Sequence, residues 1–333
     1  MSIDDFLSEW RNDSPYVEVK TSGSTGEPKR MMVEKRRMIN SARITCDFLG
    51  LKKDDTALLC MSLDYIAGKM MVVRAIERWM ELIVQEPSGH PMGEMLNKKY
   101  KIENKKYSID NIGFAAMVPM QVYNSLQVPE EKEMLMNVKH LIIGGGAIDD
   151  RMAEELRMFP NAVWSTYGMT ETLSHIALRR LNGKDASEWY EPFPSVKISL
   201  NEDGCLVIDA PEVCEQVLVT NDIAEIDDSG MKFRILGRKD NVICTGGIKI
   251  QAEEVERMLK PYIDSPYIFT KRKDPKFGEI VVMLTEGDVS EAREVCERVL
   301  PKFQQPKLYK SVDCIPLTET GKPARKEAEK LAL

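Results

Sequence analysis

Apolar positions in the first half of the chain follow two different patterns. Between residues 38 and 49 they recur every three or four positions, which predicts a helix that ends at Gly50. Farther along, short runs of consecutive apolar residues alternate with helical stretches, and such strands are typical of a parallel sheet covered on both faces. The pattern therefore predicts the α/β fold class. The predicted strands are 56–61, 81–85, 112–118 and 138–143, and the predicted helices are 66–80 and a segment from Asp149.

The pattern changes near residue 195, where short strands joined by Asp/Gly turns follow one another and predict an antiparallel meander. Beyond Gly237, helical stretches alternate with strands and predict a small α+β lobe. We therefore predict a large N-terminal domain, 1–237, with a mainly parallel layered sheet plus the meander, and a small C-terminal lobe, 238–333. The meander strands are predicted at 196–200, 205–209, 216–219, 223–226 and 232–236, and the lobe helices at 252–259 and 290–299.

Composition narrows the class of protein. Of the 333 residues, 43% are hydrophobic and 30% charged, as in soluble globular proteins, and the net charge of -7 argues against nucleic acid or a membrane as a partner. The 7 cysteines include no C-x-x-C pair and the 3 histidines lie far apart, which favours reduced thiols over disulfides or a zinc site. No signal-like segment or stretch of about 18 apolar residues occurs. A cytoplasmic location is expected.

One segment near the start of the chain has the composition of a phosphate-binding loop. Glycines allow the backbone to approach an anion, while hydroxyl groups and an ammonium donate hydrogen bonds to phosphate oxygens. The segment lacks the Gly-Lys-Ser/Thr ending of a Walker A loop, and on composition alone it could also be a flexible Ser/Gly linker. The candidate phosphate contacts are Thr21, Ser22, Gly23, Ser24, Thr25, Gly26 and Lys29.

This loop and five later segments resemble, in the same order, the motifs of the adenylate-forming enzymes, the family of acyl-CoA synthetases, nonribosomal-peptide adenylation domains and luciferases. Each motif is modest support alone, but six in order from residue 21 to 325 are specific. The later segments are Gly144-Gly145-Gly146-Ala147, Tyr167 to Thr172, Thr220-Asn221-Asp222, Gly237 to Asp240, and Pro316 to Lys322 with Arg325.

The resemblance implies that the second and third segments bind the nucleotide. Residues 144–147 would lie along the adenine, although a strand-to-helix turn uses glycines equally well. Tyr167 and Gly168 would contact the base, Thr170 the α-phosphate, and Glu171 the Mg²⁺ that bridges the phosphates. The alternative for residues 167–172 is a turn that starts a helix.

The resemblance also assigns two ribose contacts. Asp222 would accept hydrogen bonds from both ribose hydroxyls, with Asn221 replacing the family's glycine, and Arg238 would donate to the same sugar. On the alternative interpretation Asp222 is a turn residue and Arg238 a surface charge.

Lys322 is the expected catalytic cation. When a carboxylate attacks the α-phosphate of ATP, negative charge builds between two anions, and an ammonium placed there stabilises that state selectively. Arg325 has a broad planar group that suits a fixed carboxylate or phosphate contact better. The resemblance implies that the C-terminal lobe is mobile and rotates about Asp240 after adenylation, so that coenzyme A can attack the adenylate.

The acid should bind near the segment 62–74. Tyr65 occupies the place of the family's aromatic gate residue, and Lys69 and Arg74 follow on a predicted helix, where they would suit a second carboxylate; the alternative is a solvated outer helix face. His175 could line the same pocket. These features fit o-succinylbenzoate, the acid used by the family's menaquinone-pathway ligase. Other acids, a carrier-protein acceptor, or an inactive nucleotide-binding regulator remain open.

Length is the main departure from the family. Only 20 residues precede the phosphate loop, whereas family members usually carry a long segment there. A flanking subdomain is expected to be absent, which would expose surface that a second subunit could cover, so a homodimer is possible.

Overall fold

A computed structural model of the protein describes residues 1–20, 30–97, 112–146, 148, 150–318 and 323–333. The predicted phosphate loop 21–29, Ala147 and Lys322 therefore lie outside the described residues. The chain divides into two compact units, the first made of Met1–Ile198, Ile208–Leu218 and Asp227–Lys232, the second of Ser199–Val207, Val219–Ile226 and Phe233–Leu333. This division concerns packing, and the functional boundary between residues 237 and 238 stays a prediction.

The first unit contains a seven-stranded sheet with strand order β4-β3-β5-β6-β7-β8-β9. The five strands from β4 to β7 are parallel, and β8 and β9 continue the sheet antiparallel. The predicted α/β fold is confirmed. The elements are α1 (Ile3–Arg11), β1 (Tyr16–Lys20), β2 (Arg30–Glu34), α2 (Lys35–Leu49), β3 (Thr56–Leu59), α3 (Ile66–Arg78), β4 (Glu81–Val84), α4 (Pro91–Asn97), β5 (Phe114–Met117), α5 (Pro119–Leu126), α6 (Pro129–Asn137), β6 (His140–Ile143), α7 (Asp150–Arg157), β7 (Ala162–Gly168), a 3₁₀ turn (Thr170–Thr172), β8 (His175–Arg180) and β9 (Glu191–Pro192).

Both faces of this sheet are covered, as its uninterrupted apolar strands require. Strands β5 and β6 read FAAM and HLII, and all but His140 of these residues are buried. Alternate residues such as Ala115, Leu141 and Ile143 join a core with the helices α4 to α7. Helix α3 packs against β3, and α2 packs against α3. Helix α2 ends at Gly50 with φ 67°, the left-handed conformation that the sequence predicts there.

The strand order predicts a ligand site at one edge of the sheet. Strand β3 pairs with β4 on one side and with β5 on the other, so the order of strands reverses there. In open α/β sheets, ligands bind beyond the carboxyl ends of the strands near such a reversal. The segments that follow β3, β6 and β7 at this edge begin at Cys60, Gly144 and Met169. The segment from Cys60 leads into the predicted acid-binding segment 62–74. The segments from Gly144 and Met169 contain residues of the predicted nucleotide-binding motifs 144–147 and 167–172.

The second unit is built on two sheets. One has the order β10-β11-β12-β13, with β12 antiparallel to β13, and the other the order β15-β14-β17-β16 with β18 parallel to β17. Residues 218–226 form one strand, so the break predicted between 219 and 223 is wrong: Asp222 pairs with β13 instead of turning. The elements are β10 (Lys197–Leu200), β11 (Cys205–Asp209), β12 (Leu218–Ile226), β13 (Phe233–Arg238), a 3₁₀ turn (Lys239–Asn241), β14 (Val242–Thr245), β15 (Ile248–Gln251), α8 (Ala252–Leu259), β16 (Tyr267–Asp274), β17 (Gly278–Thr285), α9 (Val289–Val299), β18 (Leu308–Ser311) and α10 (Arg325–Leu331).

The core of the second unit follows from the two-residue period of β17. Val281 and Met283 face a cluster with α8 and α9, while Val282 and Leu284 face a second cluster that includes Ala328 of α10. Helix α10 is thereby fixed to the sheet. Among the described residues of either unit, no helix is both long and apolar enough to cross a bilayer.

Candidate active site

The glycine run after β6 is required by close packing. A Cβ atom on Gly144 would lie 2.3 Å from Thr166 Oγ1 on β7, and Gly145 has a φ of +81° that other residues rarely adopt. The turn interpretation of this segment therefore accounts for two of its glycines. The contact of this segment with adenine stays a prediction, because glycine is expected both in a closely packed turn and beside a flat purine ring.

Strand β7 ends in a bulge that presents the predicted α-phosphate and magnesium contacts. The register with β8 shifts between Tyr167 and Gly168, and a Cβ atom on Gly168 would lie 2.3 Å from the Ser174 carbonyl oxygen. Thr170 and Glu171 then lie on the 3₁₀ turn, where Glu171 is exposed. The ring of Tyr167 packs at 5.8 Å from that of Tyr190. The chain here forms a short turn rather than the start of an α-helix.

Thr172 holds this turn closed, a role that the sequence prediction missed. Its buried hydroxyl accepts a hydrogen bond from the Met169 N–H at 3.1 Å and lies 2.8 Å from the Ser174 carbonyl oxygen, to which it donates. The next residue, Leu173, is buried with φ 65°, a conformation that costs a non-glycine residue about 1–3 kcal/mol. Strain of this kind persists where the surrounding structure enforces it. The signal in the sequence was a second hydroxyl residue directly after Glu171.

A group of buried polar side chains lies behind the turn. Arg74, only 2% exposed, donates to Ser174 Oγ at 2.6 Å and to Thr45 Oγ1 at 3.4 Å. His175 contacts Thr45 Oγ1 through Nε2 at 3.1 Å and Ser174 Oγ through Nδ1 at 3.2 Å. Within residues 30–97 and 150–318 and the other described ranges, no carboxylate forms a salt bridge with Arg74, and its Nε has no hydrogen-bond partner.

Burial sets the charges in this group. Desolvation lowers the pKa of Arg74 to about 10, so the guanidinium remains a cation at neutral pH. Burial, and after it the charge of Arg74, lower the pKa of His175 well below its usual value, so the imidazole is neutral. His175 also borders a small cavity with Ser41, Phe193 and Val213. The contact of this imidazole with the acid stays a prediction.

Lys69 is buried on the same helix but has its own anionic partner. Its ammonium lies 2.7 Å from the Glu18 carbonyl oxygen and 3.3 Å from Glu9 Oε2, and it lies over the Phe6 ring at 5.3 Å. The alternative in which Lys69 and Arg74 lie on a solvated helix face is wrong, because α1 and the β1–β2 hairpin on one side and α2 on the other cover them. The contacts of Lys69 favour a structural role.

Tyr65, the predicted gate residue, immediately precedes α3 and is 36% exposed. It forms a parallel bridge with Lys20, the last described residue before the predicted phosphate loop. The segment predicted to hold the acid is therefore in contact with the end of β1 at Lys20.

The predicted ribose contacts pair with each other in the second unit. Asp222 lies opposite Arg238 on β12 and β13, and Arg238 donates to Asp222 Oδ1 and to Asp240 Oδ2, each at 3.1 Å. Asn221 donates to the same Asp240 oxygen at 3.3 Å. The alternative of a turn residue is wrong, since Asp222 lies within a strand. The alternative of a surface charge at Arg238 stays open, because its side chain is 37% exposed and bridges two carboxylates. A ribose would have to share Asp222 with Arg238.

The side chains of the 3₁₀ turn fit a magnesium ion that is held mainly by a nucleotide. Mg²⁺ prefers oxygen ligands, and in phosphate sites it takes one or two carboxylates and completes its shell with phosphate oxygens and water. Glu171 supplies one exposed carboxylate and Thr170 an adjacent hydroxyl. No cluster of three or more potential metal ligands occurs in the described part of the chain, which leaves such an all-protein site without support there.

Comparisons with known proteins agree with these motifs. The profile of the family described as "AMP-binding enzyme" matches residues 6–215. A 2-succinylbenzoate–CoA ligase of Listeria innocua is 24% identical over 347 residues, which cover 96% of this chain and 71% of that protein. The ligase of the same name from Lactococcus lactis is 22% identical, with 96% and 72% covered.

Solved structures extend the comparison. An acyl-CoA synthetase (AMP-forming)/AMP-acid ligase II-like protein from Dyadobacter fermentans is 30% identical, with a TM-score of 0.65 and 98% of this chain and 92% of that chain covered. The o-succinylbenzoate coenzyme A synthetase of Bacillus subtilis, in complex with ATP and magnesium, gives a TM-score of 0.75 at 20% identity, with 93% and 69% covered, and this likeness concerns the fold. With the profile match spanning more than half of the sequence and the motifs in order, the chain belongs to the AMP-binding enzyme family.

Proposed function

We propose that this protein is an AMP-forming acid–CoA ligase. It would activate a carboxylic acid with ATP as an acyl-adenylate, release pyrophosphate, and transfer the acyl group to coenzyme A with release of AMP. The membership in the AMP-binding family and the turn that carries Thr170 and Glu171 support this proposal. AMP is a good leaving group for thiolate attack, whereas a free carboxylate is not electrophilic, which explains a two-step reaction.

The residues divide the work of the first step. Lys322 would neutralise the charge that builds between the attacking carboxylate and the α-phosphate, and the Thr170 hydroxyl would bind the same phosphate. Magnesium, held through Glu171 and the phosphates, would supply positive charge next to the leaving pyrophosphate. The hydrogen bonds of Thr172 across the turn would hold Thr170 and Glu171 in place for the reaction.

One observation carries the choice of acid: Arg74 is a buried cation with no carboxylate partner among the described residues, and it is bonded to Ser174 just after the Thr-Glu motif. A buried charge without a counter-ion is costly, and a substrate anion would offset that cost. This favours an acid with a second carboxylate. Together with the relatives named 2-succinylbenzoate–CoA ligase, it leads us to propose o-succinylbenzoate as the substrate.

The proposal is tested by pyrophosphate release with a panel of aromatic and aliphatic mono- and dicarboxylic acids, with and without coenzyme A. We expect the highest rate with o-succinylbenzoate and coenzyme A, and a loss of ~100-fold or more in Lys322→Ala. Lys330→Ala, which removes an exposed lysine of α10, is the matched control and should keep the wild-type rate.

Two outcomes would contradict the proposal. Turnover with a carrier-protein thiol in place of coenzyme A would identify a different acceptor. Nucleotide binding without pyrophosphate release for any acid would favour the regulatory alternative. The homodimer and the cytoplasmic location stay predictions.

A further inference from the structure

Helix α8 carries two glutamates, one helical turn apart, that both face Arg325. Arg325 donates from one terminal nitrogen to Glu256 Oε1 at 3.0 Å and from the other to Glu256 Oε2 at 2.7 Å. Its Nε lies 3.7 Å from Glu253 Oε1. The two parallel bonds to Glu256 form the bidentate geometry in which a guanidinium fixes both the distance and the plane of its partner.

This pair is also fixed to the sheet. Glu256 Oε1 accepts a hydrogen bond from the Phe269 N–H at 2.7 Å, and Arg325 donates to the Phe269 carbonyl oxygen at 2.9 Å. The side chains of Arg325 and Glu256 are only 17% and 20% exposed. Burial raises the pKa of Glu256, opposed by the bonds from Arg325; burial would lower the pKa of Arg325, but the bonds and charge of Glu256 outweigh it and raise it. The pair therefore ties the start of α10 to β16 and α8.

The backbone just before Arg325 is fixed as well. Leu317 and Pro323 form an antiparallel bridge, and the Ala324 N–H donates to the Pro316 carbonyl oxygen at 2.8 Å. Pro323 is joined by its peptide bond to Lys322, the predicted catalytic cation. The first fixed residue after Lys322 is therefore only two residues from the guanidinium that Glu256 holds.

Helix α8 reaches the predicted hinge through its other glutamate. Glu253 accepts hydrogen bonds from the side chains of Asn241 and Gln251. Asn241 belongs to the 3₁₀ turn that contains Asp240. A small cavity is lined by residues of this turn and of α10, including Asp240 and Arg325. Glu253 and Glu256 thus join the hinge turn and the start of α10 to one helix within the second unit.

We propose that Arg325 and Glu256 are positioning residues for adenylation, which fix the chain at Pro323, the residue that directly follows the predicted catalytic Lys322. This inference rests on the proposed role of Lys322. A lysine that must fit between two reacting anions tolerates little displacement, because an error of about 1 Å in catalytic geometry can cost on the order of 100-fold in rate. A bidentate guanidinium on a buried carboxylate provides that accuracy, whereas a single ammonium does not.

The test is Arg325→Lys, which keeps the charge and removes the fork. We expect kcat for adenylation, measured as pyrophosphate release, to fall ~10-fold, with the KM values for ATP and the acid changed by less than about twofold. Thioester formation from supplied acyl-adenylate and coenzyme A should keep its wild-type rate, because it does not use Lys322. Arg257→Lys, an exposed arginine on α8, is the matched control and should leave both half-reactions unchanged.

A second measurement separates positioning from general damage to the fold. In a Lys322→Ala background, Arg325→Lys should cause no further loss of adenylation, because the positioned group is already gone. The same ~10-fold loss in both backgrounds, or an equal loss in both half-reactions, would overturn the inference while leaving the proposed function intact. Failure of the proposed function is a different result: wild-type protein that releases no pyrophosphate with any acid, and the positioning role then falls with it.

Discussion

Two arginines, Arg74 buried and Arg325 partly buried, have very different partners in the two units of this molecule. In the second unit, Arg325 forms a bidentate bond to Glu256 and lies near Glu253. In the first unit, Arg74 is more deeply buried yet bonds to neutral groups, chiefly the hydroxyl of Ser174, with no carboxylate partner among the described residues. Both guanidiniums are charged at neutral pH, so the difference lies entirely in their surroundings.

The difference separates a cation paired with carboxylates from a cation that lacks a carboxylate partner among the described residues. Desolvating a charge costs several kcal/mol, and only good partners offset that cost. Arg325 has such partners inside the protein, so its removal leaves the carboxylates of Glu253 and Glu256 without this cation. Among the described residues Arg74 bonds only to neutral groups, the hydroxyls of Ser174 and Thr45 and the Met71 sulfur, so the folded protein gains little from its charge. This difference supports the proposal that Arg74 pairs with an anion of the substrate.

The largest expected effect is on stability, and it concerns Arg325. Arg325→Met leaves Glu256 buried without its counter-ion, and we expect the free energy of unfolding to fall by about 3–5 kcal/mol. Arg74→Met removes a charge that has no ionic partner among the described residues, and its effect should stay within about 1 kcal/mol. Urea denaturation followed by circular dichroism measures both.

Equal losses of stability in the two variants would break the comparison, because they would show that Arg74 has an ionic partner in the folded protein. Adding Glu256→Gln to Arg325→Met should recover part of the loss, since the uncompensated charge is then removed as well. Arg257→Met, at an exposed position of α8, gives the baseline for the loss of an arginine alone.

The second effect is on substrate binding, and it concerns Arg74. We expect Arg74→Gln to raise KM for o-succinylbenzoate by ~100-fold, as the loss of a charge-assisted bond of about 3 kcal/mol would. The KM for a monocarboxylic aromatic acid should change much less, because that acid has no second anion to lose. Steady-state pyrophosphate release measures both constants.

Lys69→Gln is the control for this experiment, because Lys69 lies on the same helix and is buried to the same extent but pairs with Glu9. It should leave KM for both acids within about twofold of wild type. A dicarboxylate preference that disappears in Lys69→Gln and persists in Arg74→Gln would show that the second carboxylate of the substrate pairs with Lys69 and not with Arg74.

Much of this arrangement was predictable from the sequence. Apolar runs and periodic stripes predicted the parallel sheet, and the helix end at Gly50 followed from its residue type. The motifs predicted the family, which the profile match confirms, while the roles of their residues stay predictions. Arg325 was expected to make a fixed carboxylate or phosphate contact, as it does with Glu256. Such features depend on local pattern or on side-chain shape, which a sequence states directly.

The features that escaped prediction depend on tertiary contacts. Lys69 and Arg74 are spaced five residues apart and could have faced water; only the packing of α1, the first hairpin and α2 around α3 decides that they do not. The turn predicted at Asp222 became a strand because Arg238 lies opposite it on β13. Thr172 looked like one more polar residue, although its hydroxyl closes the turn that presents Glu171.

The smallest expected effect uses pH to sharpen the contrast at Arg74. Burial and the nearby guanidinium hold the pKa of His175 well below 6.5, so the unfolded chain binds a proton that the folded chain excludes, and stability must fall as pH falls below about 6.5. The free energy of unfolding should therefore decrease between pH 6.5 and pH 5. His175→Gln should remove that part of the pH dependence of stability in urea titrations. The difference between this variant and wild type reports on His175 alone, because His140 is present in both.

In Arg74→Met the fall in stability should begin at the same pH but persist over a narrower pH range, because one of the two causes of the lowered His175 pKa is gone. Wild-type and His175→Gln proteins with the same pH dependence of stability from pH 7.5 to pH 5 would contradict the lowered pKa of His175.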